Sequence, residues 1–229
     1  CIRDRAKGFV ALGLFKDYDD IRNSPKQTFG NYMPGDIKYK DVNGDGIIDD
    51  QDQVAVGATT VPNLVYGIGV SAQWKGLDVN VHFQGAGKSS FFIDGEGVRP
   101  FASGNRGNFY QEVIGGRWIS KEESGTIATE NPHAKYPRLS YGYNGNNNRN
   151  SSYWLRNGAY LRLKTLEVGY TLPKKIVNRI HFNNIRIYMI GTNLITWSKF
   201  KMWDPEMNSS NGATYPLAKS VTVGLNVNL

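Results

Sequence analysis

The sequence predicts an all-β chain, an antiparallel up-and-down set of strands of membrane-crossing length with long loops at one end. Three observations predict it. First, Ser220–Leu229 alternates strictly: Val221, Val223, Leu225, Val227 and Leu229 share one face, and Thr222, Gly224, Asn226 and Asn228 the other. Second, Leu64–Lys75 repeats the pattern, with Tyr66, Ile68, Val70, Ala72 and Trp74 against Gly67, Gly69, Ser71, Gln73 and Lys75. Third, the connections between such stretches are alternately short and long. A tilted strand crosses the apolar core of a bilayer in about 9–11 residues, and Ser220–Leu229 has that length. A single strand does not separate a membrane barrel, aliphatic face to lipid, from a sandwich, aliphatic face in a core.

Composition narrows the classes. The chain has 229 residues, 40% hydrophobic and 12% aromatic. No run approaches eighteen apolar residues, so no transmembrane helix is expected. The opening Cys1-Ile-Arg-Asp-Arg5 lacks the apolar stretch of a signal peptide. Cys1, the one cysteine, allows no internal disulfide; it reads as the point where a fragment starts rather than as a lipidated residue. Net charge is +7, yet Lys and Arg are scattered over loops and strand ends. A nucleic-acid footprint would cluster them, so no nucleic-acid partner is expected.

Residues 1–63 precede the first clear strand and carry one motif, Asp41-Val-Asn-Gly-Asp-Gly-Ile-Ile-Asp-Asp-Gln-Asp52. Asp41, Asn43 and Asp45 place oxygens at loop positions one, three and five. Gly46 stands at the sharp turn, and Ile47 offers its carbonyl at position seven. Asp49 can act through water, and Asp52 closes the loop at position twelve. This spacing supplies the hard oxygens that Ca2+ takes. Position twelve is Asp rather than Glu, and the flanks read as extended, so the loop is similar to a dockerin-type calcium loop without EF-hand helices. The bland reading is an Asx-rich turn that bonds its own backbone.

The strands are expected at about 64–75, 77–87, 159–173, 185–198 and 220–229. Lys75-Gly76 is a tight turn, and Pro173–Asn184 a short connection with a helix near Lys174–Arg179. In the third strand the apolar phase slips near Thr165, between Leu161 and Leu163 on one parity and Leu166, Val168, Tyr170 and Leu172 on the other, which marks either a bulge or the level where the strand leaves the membrane. Loops are expected at 87–158 and 199–219. The first is long, aromatic and rich in Gly and Asn, and Asn144–Asn150 reads as mobile. Such lengths suit the extracellular loops of an outer-membrane barrel better than a compact domain. Fewer than about eight strands do not close a membrane barrel, so five imply a larger object.

Several motifs then carry a resemblance. Tyr160-Leu-Arg-Leu-Lys-Thr-Leu-Glu-Val-Gly-Tyr-Thr-Leu-Pro173 is similar to a motif of the SusC/RagA family of TonB-linked outer-membrane transporters. Gly191-Thr-Asn-Leu-Ile-Thr-Trp-Ser-Lys-Phe200 with Asp204-Pro-Glu206, Asn131–Arg138, and the acidic loop before Leu64-Val-Tyr-Gly67 fit the family in order and spacing. The resemblance covers nearly the whole chain, as the C-terminal part of the barrel. It implies localisation in the bacterial outer membrane, contact with its lipid, a 22-stranded barrel with a plug, TonB as partner through a segment not in this chain, and a SusD-like surface lipoprotein as lid. The cargo would be oligosaccharide or peptide, and segments 33–63, 87–158 and 199–219 would face outward. Two departures stand out: Leu229 replaces a terminal aromatic, and Ile119–Glu130 is inserted between Arg117-Trp118 and Asn131-Pro132.

No enzyme is expected. His82, His133 and His181 have no ligand spacing, and Glu122-Glu123 reads as a solvated pair. Substrate contacts are expected from loop side chains that stack and hydrogen bond: Trp118, Tyr136, Arg138, Tyr153 and Trp154. The competing reading is a soluble, calcium-stabilised β-sandwich that binds carbohydrate.

Overall fold

The computed structural model describes residues 5–104, 108–120, 134–207 and 209–228. Cys1, His133, Glu122-Glu123, Leu229 and most of the 119–130 insertion lie outside them. The chain divides into two compact units. One comprises Cys1–Thr60, Ser90–Arg156 and Ser209–Asn211; the other comprises Val61–Ser89, Asn157–Asn208 and Gly212–Leu229.

In chain order the elements are β1 (Arg5–Gly8), β2 (Ala11–Leu14), α1 (Tyr18–Arg22), β3 (Lys26–Gln27), β4 (Ile37–Tyr39), β5 (Ile47–Ile48) and β6 (Val54–Thr59). Then follow β7 (Leu64–Trp74), β8 (Leu77–Gly87), β9 (Ser90–Phe92), α2 (Gln111–Gly115), β10 (Leu155–Asn157), β11 (Tyr160–Thr171), β12 (Asn184–Ser198) and β13 (Ser220–Asn228).

The second unit is a five-stranded sheet in the order β13-β12-β11-β8-β7. Every neighbouring pair is antiparallel, so the strands form a meander and not a Greek key. Lys75 and Gly76, both with positive φ, join β7 to β8, the two-residue turn whose twist matches that of the strands. The connection from β11 to β12 holds a helical turn at Lys174–Val177 and a 3-10 turn at Asn178–Ile180.

Exposure alternates along much of β12, whereas on the edge strands β7 and β13 both faces are open. Tyr66, Val70, Val223 and Leu225 are exposed, Val70 at 61% and Val223 at 72%. No second layer seals them among the described residues, so the sandwich reading fails on its main requirement. The phase slip resolves as a bulge. From the rung Val81–Leu166–Gly191 to the rung Phe83–Leu163–Ile195, β8 advances two residues, β11 three and β12 four. The extra residue in β11 returns Leu161 and Leu163 to the face of Leu166, Val168 and Tyr170. Asn193 in β12 has φ 53°, the left-handed conformation that Asn tolerates better than most residues.

The first unit is more ordered than the sequence suggests. Short pairs, β1 with β6, β2 with β4 and the parallel β3 with β5, frame a core of Phe9, Phe15, Ile37, Tyr39, Ile48, Ile93, Val98 and Trp154. The expectation of a mobile Asn144–Asn150 is corrected: Asn146 is fully buried and Asn147 nearly so. Gly145 also packs so closely on the Phe29 carbonyl that an added Cβ would lie 2.3 Å from its oxygen.

Candidate functional site

The loop unit is organised by a buried polar hub. Asp36, wholly buried, accepts from Asn147 Nδ2 at 2.7 Å, Asn144 Nδ2 at 3.3 Å and the Met33 amide at 2.9 Å. Arg138 meets the same carboxylate side-on, with Nε 2.9 Å from Oδ1 and Nη2 donating to Oδ2 at 3.1 Å. Asn147 Oδ1 accepts from the Ile37 amide at 2.9 Å, and the Gln27 amide group bridges the Ile37 carbonyl and the Tyr39 amide. Buried polar groups persist when each finds a partner. Here Asn side chains from 144–147 substitute for a strand partner of β4, which explains why an Asn-rich stretch is core.

Around this hub lie the residues nominated for substrate contact. The Trp118 ring covers Gly35, whose added Cβ would sit 2.3 Å from it. Tyr136 is 1% exposed, and its carbonyl accepts the Trp118 amide at 2.9 Å. The buried Trp154 donates Nε1–H to the Asn147 carbonyl at 2.7 Å, and the Arg99 guanidinium lies 4.9 Å from its ring centre. Tyr153 packs edge-on against Trp154 at 5.4 Å, with its hydroxyl buried and without a hydrogen-bond partner among the described residues; burial pushes its pKa up. Tyr136, Arg138 and Trp154 line one small cleft of about 30 Å³, the space of roughly two waters. The structure therefore gathers these side chains, but as packing. The rings of Trp118, Tyr136 and Trp154 are buried against protein, at 8%, 1% and 1% exposure. Among the exposed aromatics outside the five-stranded sheet, which include Tyr18, Phe109 and Tyr215, Tyr141 (76% exposed) and Tyr143 stand close together. They flank Gly142, whose φ of 82° turns the chain outward; Tyr-Gly-Tyr was the available cue.

The acidic loop holds itself. Asp41 accepts from the Gly44 and Gly46 amides at 2.6 and 2.8 Å, Asn43 from Asp45 at 3.0 Å, and Asp45 from Ile47 at 2.9 Å. Asp49 and Asp52 form a reciprocal cap on residues 50–52. Asp52, fully buried, accepts from Val42, Asn43 and Asp49 amides at 2.7, 3.3 and 3.0 Å. Burial acts to raise its pKa, but those three amides together outweigh it and hold the carboxyl below its ordinary range. Ile48 plugs into the core while Ile47 stays exposed. Hard oxygens and left-handed turns at Gly44 and Gly46 suit calcium chemistry. Asp52 does not suit a bidentate ligand, since both its oxygens are engaged. Among the described residues no three His, Cys, Asp or Glu converge to hold a metal.

On the sheet, two arginines that the sequence did not single out fasten the polar face at either end. Near the short turns Arg186 grips Asp78 side-on, Nε to Oδ1 at 3.0 Å, and also bonds Glu167, linking β12, β8 and β11. Near the long loops the buried Arg162 on β11 holds both oxygens of Asp204 at 2.6 and 2.7 Å, with Glu206 3.3 Å away. Glycines make room: the Arg186 head lies over Gly169 and the Tyr188 ring over Gly224.

No protein-family model matches the chain. Two curated proteins of Formosa agariphila are similar to it. TonB-dependent receptor P26 is 30% identical over 233 residues, covering 96% of this chain and 22% of that protein. TonB-dependent receptor P3 is 25% identical over 241 residues, covering 95% and 22%. In fold the chain matches the RagAB peptide transporter with a TM-score of 0.68 at 19% identity, covering 98% of this chain and 23% of that one. The RagAB peptide importer in its 'closed-closed' state gives 0.66 at 20% identity, covering 98% and 23%. The chain spans about a fifth of the length of the curated relatives it matches. Motifs, strand pattern and sequence similarity agree: the chain is similar, over nearly its whole length, to a segment about a fifth as long as the TonB-dependent receptors.

Proposed function

We propose that this chain is wall and loop structure of a TonB-dependent importer in the bacterial outer membrane, the last strands of a 22-stranded barrel. The observation that carries the reading is the exposed aliphatic face of the meander, bordered at both ends by aromatic rungs. Trp74 and Tyr170 share one rung through Leu77; Tyr66 and Trp197 share another through Gly85 and Leu161. Aromatic girdles of this kind mark the two interfaces of a membrane barrel. The polar face, with its glycines and arginine clusters, then lines the lumen around a plug that TonB pulls. The loop unit faces outward, where a SusD-like lipoprotein closes over an oligosaccharide or peptide.

Cysteines at Val70 and Val223, with Ser71 and Thr222 as opposite-face controls, test the placement in the full-length receptor in vesicles. A lipid-soluble maleimide should label the first pair and a charged one the second; the reverse pattern refutes the reading. Uptake of labelled oligosaccharides and peptides by cells with and without the receptor assigns the cargo. We also propose that Asp41, Asn43, Asp45 and the Ile47 carbonyl hold calcium, with Asp49 acting through water and Asp52 anchoring the loop. Calcium should then raise the melting temperature of the receptor relative to chelator. Equal values in wild type and Asp45→Ala, with and without calcium, reject it.

A further inference from the structure

At the long-loop end of the sheet the outward face changes chemistry along a single strand. On β12 the exposed residues run Ile187, Met189, Ile195 and Trp197, and the same parity continues past the strand into Lys199 and Lys201. Tyr66, Trp197 and these two lysines line an open groove of about 420 Å³. Its aromatic walls are fixed. Tyr66 lies over Gly85, where an added Cβ would sit 2.3 Å from the ring, and its hydroxyl donates to the Tyr160 carbonyl at 3.3 Å. Trp197 packs on Phe83 with ring centres 6.3 Å apart. Both lysines are exposed, and neither forms an ion pair among the described residues. The nearby carboxylates in sequence, Asp204 and Glu206, are held by Arg162.

Hydrocarbon contact therefore ends at a ring of aromatics, and two uncompensated ammonium groups follow within four residues. That is the order of chemistries along a lipid: chain, glycerol level, phosphate. We propose that this groove binds the net-anionic phosphate headgroup of a membrane lipid, in preference to a zwitterionic one, with Lys199 and Lys201 meeting the phosphate and Tyr66 and Trp197 flanking the top of the chains. A free phosphate would satisfy the lysines but leave the aromatic walls uncovered, so the occupant is a lipid. The inference rests on the reading of the aliphatic face as lipid-facing. A lysine near a charged membrane surface contributes about fivefold in association, so the pair gives about twentyfold, weakening with salt.

The full-length receptor in phosphatidylcholine vesicles tests this, with brominated-chain phosphatidic acid or brominated phosphatidylcholine as quencher. The readout is the part of the tryptophan quenching that Trp197→Phe removes. The expected result is a preference for phosphatidic acid of order tenfold, abolished in Lys199→Gln/Lys201→Gln, and unmoved by millimolar inorganic phosphate. Equal quenching by both lipids, or a preference that survives the double substitution, overturns the headgroup site. Full competition by inorganic phosphate makes it a free-anion site and also overturns it. No quenching of Trp197 by either lipid instead refutes the lipid-facing placement itself.

Discussion

Val70→Arg separates a lipid-facing strand from a water-facing one. Val70 lies midway between the two aromatic residues of β7, four residues from Tyr66 and four from Trp74. At about 3.3 Å per residue the two aromatic rungs are about 26 Å apart along the strand. A tilt of about 40° reduces this to about 20 Å of height, close to the apolar band of outer-membrane barrels. Val70 thus lies about 10 Å from either interface. An exposed valine replaced by arginine in water changes stability by about 0.5 kcal/mol or less. At the bilayer midplane the same change costs about 2–4 kcal/mol. Reversible denaturant unfolding of the full-length receptor in lipid vesicles measures the difference, with Ser71→Arg on the opposite face as control. A cost under about 1 kcal/mol for Val70→Arg, or an equal cost for both variants, would refute the assignment of the exposed face to lipid.

Three further outcomes are expected. Asn147→Ala leaves the buried Ile37 amide without its partner and takes one of several donors from Asp36, at about 1–3 kcal/mol; limited proteolysis should then cut the loop unit while the sheet stays protected. Gly224→Ala collides with the Tyr188 ring and should cost about 1–3 kcal/mol, whereas at Gly69 the nearest atoms are 3.7 Å away and alanine should cost far less; heat-modifiability on gels ranks the two. Asp52, with a folded pKa below its unfolded value, contributes stability that is fully present above about pH 3.9 and is lost as pH falls through the lower folded pKa. Protection factors of the Val42 and Asp49 amides, each rate divided by its intrinsic rate at the same pH, should therefore fall only below about pH 4 in wild type, and be low and independent of pH in Asp52→Ala.

The strands were legible because alternation is a local property. Tyr66 to Trp74 and Val221 to Val227 each need one face apolar and the other small, whatever surrounds them. The acidic loop was legible as a turn for the same reason, since its oxygens bond amides two to five residues away. The sequence alone thus determined the strands and which residues share a face; the slip at Thr165 became a bulge only through the register with β8 and β12. Tertiary structure alone decided the roles of side chains whose partners are distant in sequence. Asn147 became core because Asp36 and Ile37 lie 111 and 110 positions away. Trp118, Tyr136 and Trp154 are packing elements because that hub draws their rings inward, and Arg186 is a clasp because Asp78 and Glu167 come to it across the sheet. A contact made by folding leaves no period in the sequence, so composition could suggest that these residues matter but not which of them face the solvent.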